Sequence, residues 1–402
     1  DGAEDYKIVE APVATPERAC WQDVVSHEPG RMIRDFLLFQ EYFVRIESVN
    51  ALPRIIIQPL NDGEAYTIEF EEEAYDLDIS RGYEYETKFL RFTYSSLTTP
   101  QRTFDFNMNT RERELRKQQE VPSGHDRNQY VTRRIWAKSY DGTMVPVSLL
   151  YRKDTPINGT APLVLYGYGA YGICIPASFS PNRFSLVDRG FIYAIAHTRG
   201  GTDLGFQWYQ EGKLEKKQNT FLDYISVAEA LINQNFTSLG HIVTYGGSAG
   251  GMLVGTVLNM RPELFGAAVG EVPFVDVLNT MCDETLPLTP PEWVEWGNPA
   301  ADIEAYHRIR SYSPYENVAA RDYPPILATA GISDPRVTYW EPAKWVARLR
   351  AMKTNHNPVM LHINMDSGHG GAAGRFDRLH EIALVYTFIL WSLSRHGEPT
   401  TP

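Results

Sequence analysis

The run Val243-Thr-Tyr-Gly-Gly-Ser-Ala-Gly-Gly-Met252 limits what this chain can fold into more than any other stretch. Ile242, Val243 and Tyr245 read as a buried strand, and Met252 to Met260 carry an apolar helical pattern, so Ser248 falls where strand must turn into helix. A serine in G-x-S-x-G at such a turn is a nucleophile elbow. Gly246 and Gly250 leave room for a tight turn and for close packing of strand and helix, while the hydroxyl projects away from the sheet. The bland alternative is a glycine-rich turn without chemistry. The strand before Ser248 and the helix after it weigh against that.

A serine hydroxyl is a poor nucleophile at neutral pH, so the elbow calls for a histidine to take its proton and a carboxylate to orient the histidine. In an α/β-hydrolase fold they follow in the order Ser, Asp or Glu, His, each on a loop after a strand. Pro325-Ile-Leu-Ala-Thr-Ala-Gly-Ile-Ser-Asp334 is an apolar strand running into a polar turn, which delivers Asp334 to a strand end. Ser333, Asp334 and Pro335 also make a helix start, so a helix cap is the competing reading of Asp334. Val359-Met-Leu-His-Ile-Asn-Met365 reads as a further strand, and Asp366-Ser-Gly-His-Gly-Gly371 places His369 in a glycine-flanked loop behind it. Among ten histidines, order and loop placement select His369, whereas His362 lies within a strand and reads as structural. Acyl transfer also needs donors for an oxyanion. The backbone N–H of Ala249 supplies one, and the strand-to-loop run Leu163-Val-Leu-Tyr-Gly-Tyr-Gly-Ala-Tyr-Gly172 is the place for a second. A phenol or an amide of that loop would donate; an aromatic turn packed for stability has the same composition.

These residues, with His197-Thr-Arg-Gly-Gly201, Lys216-Lys-Gln-Asn-Thr-Phe-Leu-Asp-Tyr224, Glu295-Trp-Gly-Asn-Pro299 and Ser333-Asp-Pro-Arg-Val-Thr-Tyr-Trp-Glu-Pro-Ala-Lys-Trp345, carry a resemblance to the prolyl oligopeptidase family, within it most to the oligopeptidase B type. The resemblance implies Ser248 as nucleophile, Asp334 and His369 as its partners, and the Tyr168 phenol as the oxyanion donor beside the Ala249 amide. Arg336 would bind a substrate carbonyl next to the scissile residue, and Tyr171 joins Glu292 among the substrate-binding residues. Relatives of the oligopeptidase B type cut after arginine or lysine, holding the basic side chain with two alternating carboxylates in E-x-E-E. Here the stretch reads Glu292-Trp-Val-Glu-Trp-Gly297, so Glu292 keeps the first carboxylate and Val294 takes the place of the second. A single carboxylate still pairs bidentately with a guanidinium, which implies a weakened basic preference, stronger for arginine than lysine. Relatives with D-x-D after the glycine-tyrosine loop favour a second basic residue. Pro176 and Ser178 stand there in this chain, so no strong dibasic preference is expected, unless Glu271, Asp283 or Glu284 compensates.

Thirty-eight basic against fifty acidic residues give a net charge of −12 and a pI near 5.4. Such a surface repels nucleic acid and anionic membrane and attracts cationic peptides, although ordinary solubility explains it equally well. No apolar run approaches membrane-spanning length, and the start lacks a basic and apolar leader, so the cytoplasm is favoured with the periplasm left open. Three scattered cysteines, Cys20, Cys174 and Cys282, argue against a disulfide framework or a zinc site, and no cofactor is implied.

The pattern changes once along the chain. Short strands are expected at 42–47, 54–60, 65–70, 88–95 and 103–108, an all-β region whose length holds two to three blades of a β-propeller. A polar, turn-rich stretch at 122–128 is the hinge. Beyond it strands and helices alternate as in a doubly wound, mostly parallel sheet. The expected organisation is an incomplete propeller over 1–127 followed by an α/β-hydrolase peptidase domain over 128–402. Open strand edges suggest a partner, an N-terminal portion of the same protein carrying the remaining blades. Three functions follow: a serine endopeptidase cutting short basic peptides, a post-proline peptidase or carboxylesterase on the same scaffold, and an inactive fragment that needs its N-terminal half. Glu292 argues against a proline pocket, which has no use for a buried carboxylate.

Overall fold

A computed structural model of the chain describes residues 2–394. They form two compact units. The first comprises residues up to Asn128 together with Pro176–Ser180 and Thr202–Gln210, and the second the remainder.

Alternation of apolar and polar residues dominates the first unit, and it folds as antiparallel strands. β1 (Ile8–Glu10) pairs with β2 (Gln22–Val25). β3 (Arg31–Leu38), β4 (Tyr42–Val49), β5 (Leu52–Pro59) and β6 (Tyr66–Thr67) form one four-stranded meander. β7 (Tyr75–Ile79), β8 (Phe89–Ser96), β9 (Arg102–Asn107) and β10 (Arg113–Gln118) form the other. One face of each sheet is apolar: Tyr42, Val44, Ile46, Ile55 and Ile57 pack with Leu77, Leu90, Phe92, Tyr94 and Phe106 into a single core. Beside it the half-buried Glu72 accepts from the hydroxyls of Tyr94, Ser96, Thr98 and Thr99. Burial alone would raise its pKa; these four donors bring it below the ordinary value.

Four of the five anticipated strands stand within two residues of their expected bounds. The fifth, at 65–70, shrinks to the two residues of β6, because Phe70 turns out of the ladder to stack on Tyr94. Pattern reading passed over β3, β7 and β10, which complete the two sheets; all six residues of β10 are exposed, so no apolar alternation marks it.

The second unit is built on one eight-stranded sheet. Its strands are β11 (Tyr130–Lys138), β12 (Met144–Arg152), β13 (Leu163–Gly167), β14 (Ile192–Ala196), β15 (Ile242–Gly247), β16 (Phe265–Glu271), β17 (Ile326–Gly331) and β18 (Val359–Asn364), in the order β11-β12-β14-β13-β15-β16-β17-β18. The first two pairings are antiparallel and the rest parallel. Leu163, Val164, Ile192, Ala194, Ile242, Val243, Ala267 and Val269 are wholly buried, as the central strands of a sheet covered on both faces require. The chain crosses between these strands through α1 (Phe184–Val187), a short α2 (Phe206–Gln210) that belongs to the first unit, α3 (Gln218–Asn233) and α4 (Ala249–Met260). After β16 come α5 (Val277–Cys282), α6 (Thr289–Trp296) and α7 (Ile303–Tyr312); α8 (Trp340–Met352) and α9 (Arg375–Ser394) follow β17 and β18. Because β13, β15, β17 and β18 run parallel, the loops that leave their carboxyl ends emerge along one edge of the sheet. Those loops carry Tyr168, Ser248, Asp334 and His369.

Candidate active site

Ser248 sits between β15 and α4 at φ 55° and ψ −121°, a conformation that costs a non-glycine residue on the order of 1–3 kcal/mol. The surroundings hold it there. Its N–H donates to the Glu271 carbonyl at 2.9 Å, and its own carbonyl accepts from Gly251 at 2.8 Å and Phe274 at 3.0 Å. A Cβ on Gly246 would lie 2.3 Å from the Gly250 carbonyl oxygen, so the flanking glycines are a steric necessity of the turn. The N–H of Ala249 opens α4 directly after the serine.

Asp334 leaves β17 with its carboxylate buried and divided between two tasks. Oδ1 accepts the N–H of Arg336 at 2.8 Å and of Val337 at 3.0 Å, and Oδ2 lies 2.7 Å from His369 Nδ1. No helix starts at Asp334, because α8 begins at Trp340; the two backbone bonds close a local turn that fixes the carboxylate. The loops bearing Asp334 and His369 are themselves tied, with Ser333 N and Oγ both donating to the Ser367 carbonyl. A carboxylate on Nδ1 leaves Nε2 to act as the base.

Tyr168, which follows β13 and bears a phenol, lines both of the cavities that Ser248 also lines. Burial is the largest influence on that phenol and raises its pKa, which keeps it a neutral donor.

Two cavities meet at Ser248. One of about 340 Å³ is lined by Tyr168, Tyr171, Ser248, Glu292, Arg336 and Glu341, among others. Within it Glu292 Oε2 accepts from the Tyr171 hydroxyl at 2.9 Å and from Trp296 Nε1 at 3.1 Å. The other, of about 310 Å³, is lined by Ser248, His369, Arg336, Glu271, Arg378 and Glu381, with further residues.

The supposed second carboxylate position behaves differently from the expectation. Residues 289–296 are helical, so Glu292 and Val294 point some 200° apart. Val294 is 69% exposed and does not line the Glu292 cavity, so the residue at 294 is not a second wall of that pocket. Of the three acids considered as compensation, Glu271 lines the other cavity, and Asp283 binds Thr285 instead. Glu284 lines neither cavity.

Several buried ionisable groups escaped the sequence reading, three of them close to the cavities or to the Tyr168 loop. Glu341, wholly buried, accepts from the N–H groups of Val275 and Asp276 and from Thr280 Oγ1. Glu295 accepts the Tyr171 N–H at 3.0 Å, and Lys217 reaches the Gly169 carbonyl. All three lie inside motifs quoted above, which was the available signal; their charge made them look like surface residues.

Residues 177–396 match the profile of the prolyl oligopeptidase family, and residues 1–119 match that of the prolyl oligopeptidase N-terminal beta-propeller domain. The chain belongs to the prolyl oligopeptidase family. It is 44% identical to dipeptidyl aminopeptidase BI of Pseudoxanthomonas mexicana over 97% of its length and 54% of that protein's, and 41% identical to protease 2 of Moraxella lacunata over 99% and 57%. It superimposes on oligopeptidase B from Leishmania major with a TM-score of 0.92 at 39% identity, covering 98% of this chain and 56% of that one. Oligopeptidase B from Trypanosoma brucei with covalently bound antipain, in a closed form, gives 0.92 at 40%, again over 98% and 56%. The chain therefore spans about half the length of the relatives it matches. Both of the family's domains are matched within it, and a separate partner carrying further blades gains no support from these matches. Among the described residues no helix is long and apolar enough to cross a membrane.

Proposed function

We propose that the chain is a serine endopeptidase that hydrolyses short peptides on the carboxyl side of arginine or lysine. The observation that carries this reading is the Glu292 carboxylate in the cavity that Ser248 and Tyr168 also line. A basic side chain entering there meets a fixed carboxylate between two ring donors, while the adjoining peptide carbonyl lies against the nucleophile.

Ser248 Oγ attacks that carbonyl carbon as His369 Nε2 takes its proton, and the Asp334 carboxylate stabilises the imidazolium so formed. The oxygen that becomes negative receives the Ala249 N–H and the Tyr168 hydroxyl. When the C–N bond breaks, His369 returns its proton to the departing amine. Water then repeats the attack on the acyl-enzyme and releases the acid. Arg336, exposed at the junction of the two cavities, is suited to a neighbouring carbonyl of the peptide backbone.

The test is hydrolysis of matched fluorogenic peptides ending in Arg, Lys, Arg-Arg or Pro, and of a simple ester, with Ser248→Ala as the blank. The expected result is Arg turnover above Lys, with no advantage for Arg-Arg. Turnover of the ester or the Pro peptide alone would overturn the role of Glu292, and no turnover at all would point to a fragment that needs more chain.

A further inference from the structure

Lys216-Lys-Gln-Asn-Thr-Phe-Leu-Asp-Tyr224 has no role in the chemistry above, yet it contains the most deeply placed cation described. Lys217 is 1% exposed. Its Nζ donates to the carbonyl of Gly169 at 2.5 Å and of Gly212 at 3.1 Å, and lies 5.1 Å from the centre of the Trp296 ring. Gly169 directly follows Tyr168.

The backbone around that carbonyl is stacked without space for side chains. A Cβ on Gly169, whose φ is +70°, would lie 2.3 Å from Thr220 Cγ2. One on Gly200 would lie 2.1 Å from the Gly169 oxygen, and one on Gly212 would lie 2.1 Å from the Gly200 nitrogen. Thr220 Oγ1 closes the stack by donating to the Arg199 carbonyl at 2.8 Å. The Tyr171 side chain anchors the far end of the Tyr168 loop through Glu292 and Trp296. At Gly169, next to the phenol, there is no side chain to fix the backbone, and its position depends on what holds the carbonyls and N–H groups. Lys217 holds the carbonyl of Gly169, and Glu295, itself 1% exposed, holds the N–H of Tyr171. These two buried charges act on each other and grip the loop from either side of residue 170.

We propose that Lys217 is the positioning residue of the oxyanion site: by fixing the Gly169 carbonyl it aims the Tyr168 phenol at Ser248. A buried ammonium costs far more than a neutral donor, and a role in aim rather than in bulk stability accounts for its presence. Burial pulls its pKa down to about 8, with Glu295 opposing; the other groups against it are the two carbonyls and the rings of Phe221 and Trp296. The inference rests on the assignment of Tyr168 as an oxyanion donor.

The experiment is a double-mutant cycle of Lys217→Gln and Tyr168→Phe in the 402-residue chain, read as kcat and KM on an Arg peptide. Lys217→Gln is expected to lower kcat by about tenfold or more with KM little changed, since a misplaced group alone costs that much. In the Tyr168→Phe background the same change should cost less than about threefold, because the phenol it aims is gone. An equal loss in both backgrounds, an effect confined to KM, or no effect on kcat overturns the proposal. If Tyr168→Phe itself leaves kcat unchanged, the donor assignment falls as well, which separates the two failures. Should Lys217→Gln fail to fold, Glu295→Gln serves: without that carboxylate Lys217 loses its proton at lower pH, so the alkaline fall in kcat should move down. An unmoved alkaline limb overturns the proposal equally.

Discussion

At Asp334, one carboxylate serves both as the lock of a local turn and as the partner of His369, and neither task alone explains its burial. Replacing it by asparagine leaves Oδ1 to accept the Arg336 and Val337 N–H groups but puts an amide where His369 needs an acceptor. Steady-state kinetics of Asp334→Asn should therefore show kcat reduced by about 10⁴-fold, with the fold retained by circular dichroism. Glu292→Gln removes the charge while keeping an acceptor for Tyr171 and Trp296. Loss of one charge-assisted contact is worth about 1.5–3 kcal/mol, so kcat/KM on Arg peptides should fall by about 10–100-fold. Val294→Glu should leave it within about threefold, because position 294 faces away from that pocket. The contrast explains what was legible. Ser248, Asp334 and His369 could be singled out as a candidate set because nucleophilic catalysis dictates both residue type and chain order, and the fold brings Asp334 and His369 within 2.7 Å of each other. The place of 294 was misjudged because alternation was assumed where the chain is helical, and period 3.6 brings Trp296, not 294, beside Glu292.

At the level of elements, a buried carboxylate helps to hold the wall of the Glu292 cavity. Glu341, in the first turn of α8, binds the N–H groups of Val275 and Asp276 ahead of α5 and the Thr280 hydroxyl within it. Burial raises its pKa to about 8 from an ordinary 4.5, with backbone donors opposing and the charge of Asp276 adding to the rise. Between those values the folded chain holds a proton that the unfolded chain has released. The stability this residue gives is thus whole below about pH 4.5 and is lost as the pH climbs through 8. Urea unfolding at pH 5, 6, 7 and 8 should show the wild type losing ground to Glu341→Gln by at most about 1.4 kcal/mol per pH unit. The sequence Trp340-Glu-Pro-Ala-Lys344 gave no hint of this, since a glutamate in the first turn of a helix is ordinarily a solvated dipole partner.

Across the whole molecule, the change from period 2 to alternating strand and helix was visible near residue 128. The passage of 176–180 and 202–210 into the first unit was not, because local pattern carries no information about which distant residues a loop will meet. Net charge acts at the same scale. At −12, the chain attracts cationic peptides over several ångströms of solvent, and salt shortens that reach. KM for an Arg-Arg peptide should rise between low salt and half-molar salt, while KM for a neutral ester stays level. One further feature matters to a solution crowded with copies of this chain. β10 ends its sheet with a row of open peptide groups, the usual template for runaway strand stacking into aggregates. Its six side chains all stand in water, and Arg113, Glu114, Arg116 and Lys117 are charged. A second strand sliding in would have to strip those charges of hydration, so the border of the sheet is guarded by solvation, and neutralising it is the shortest route to a protein that precipitates.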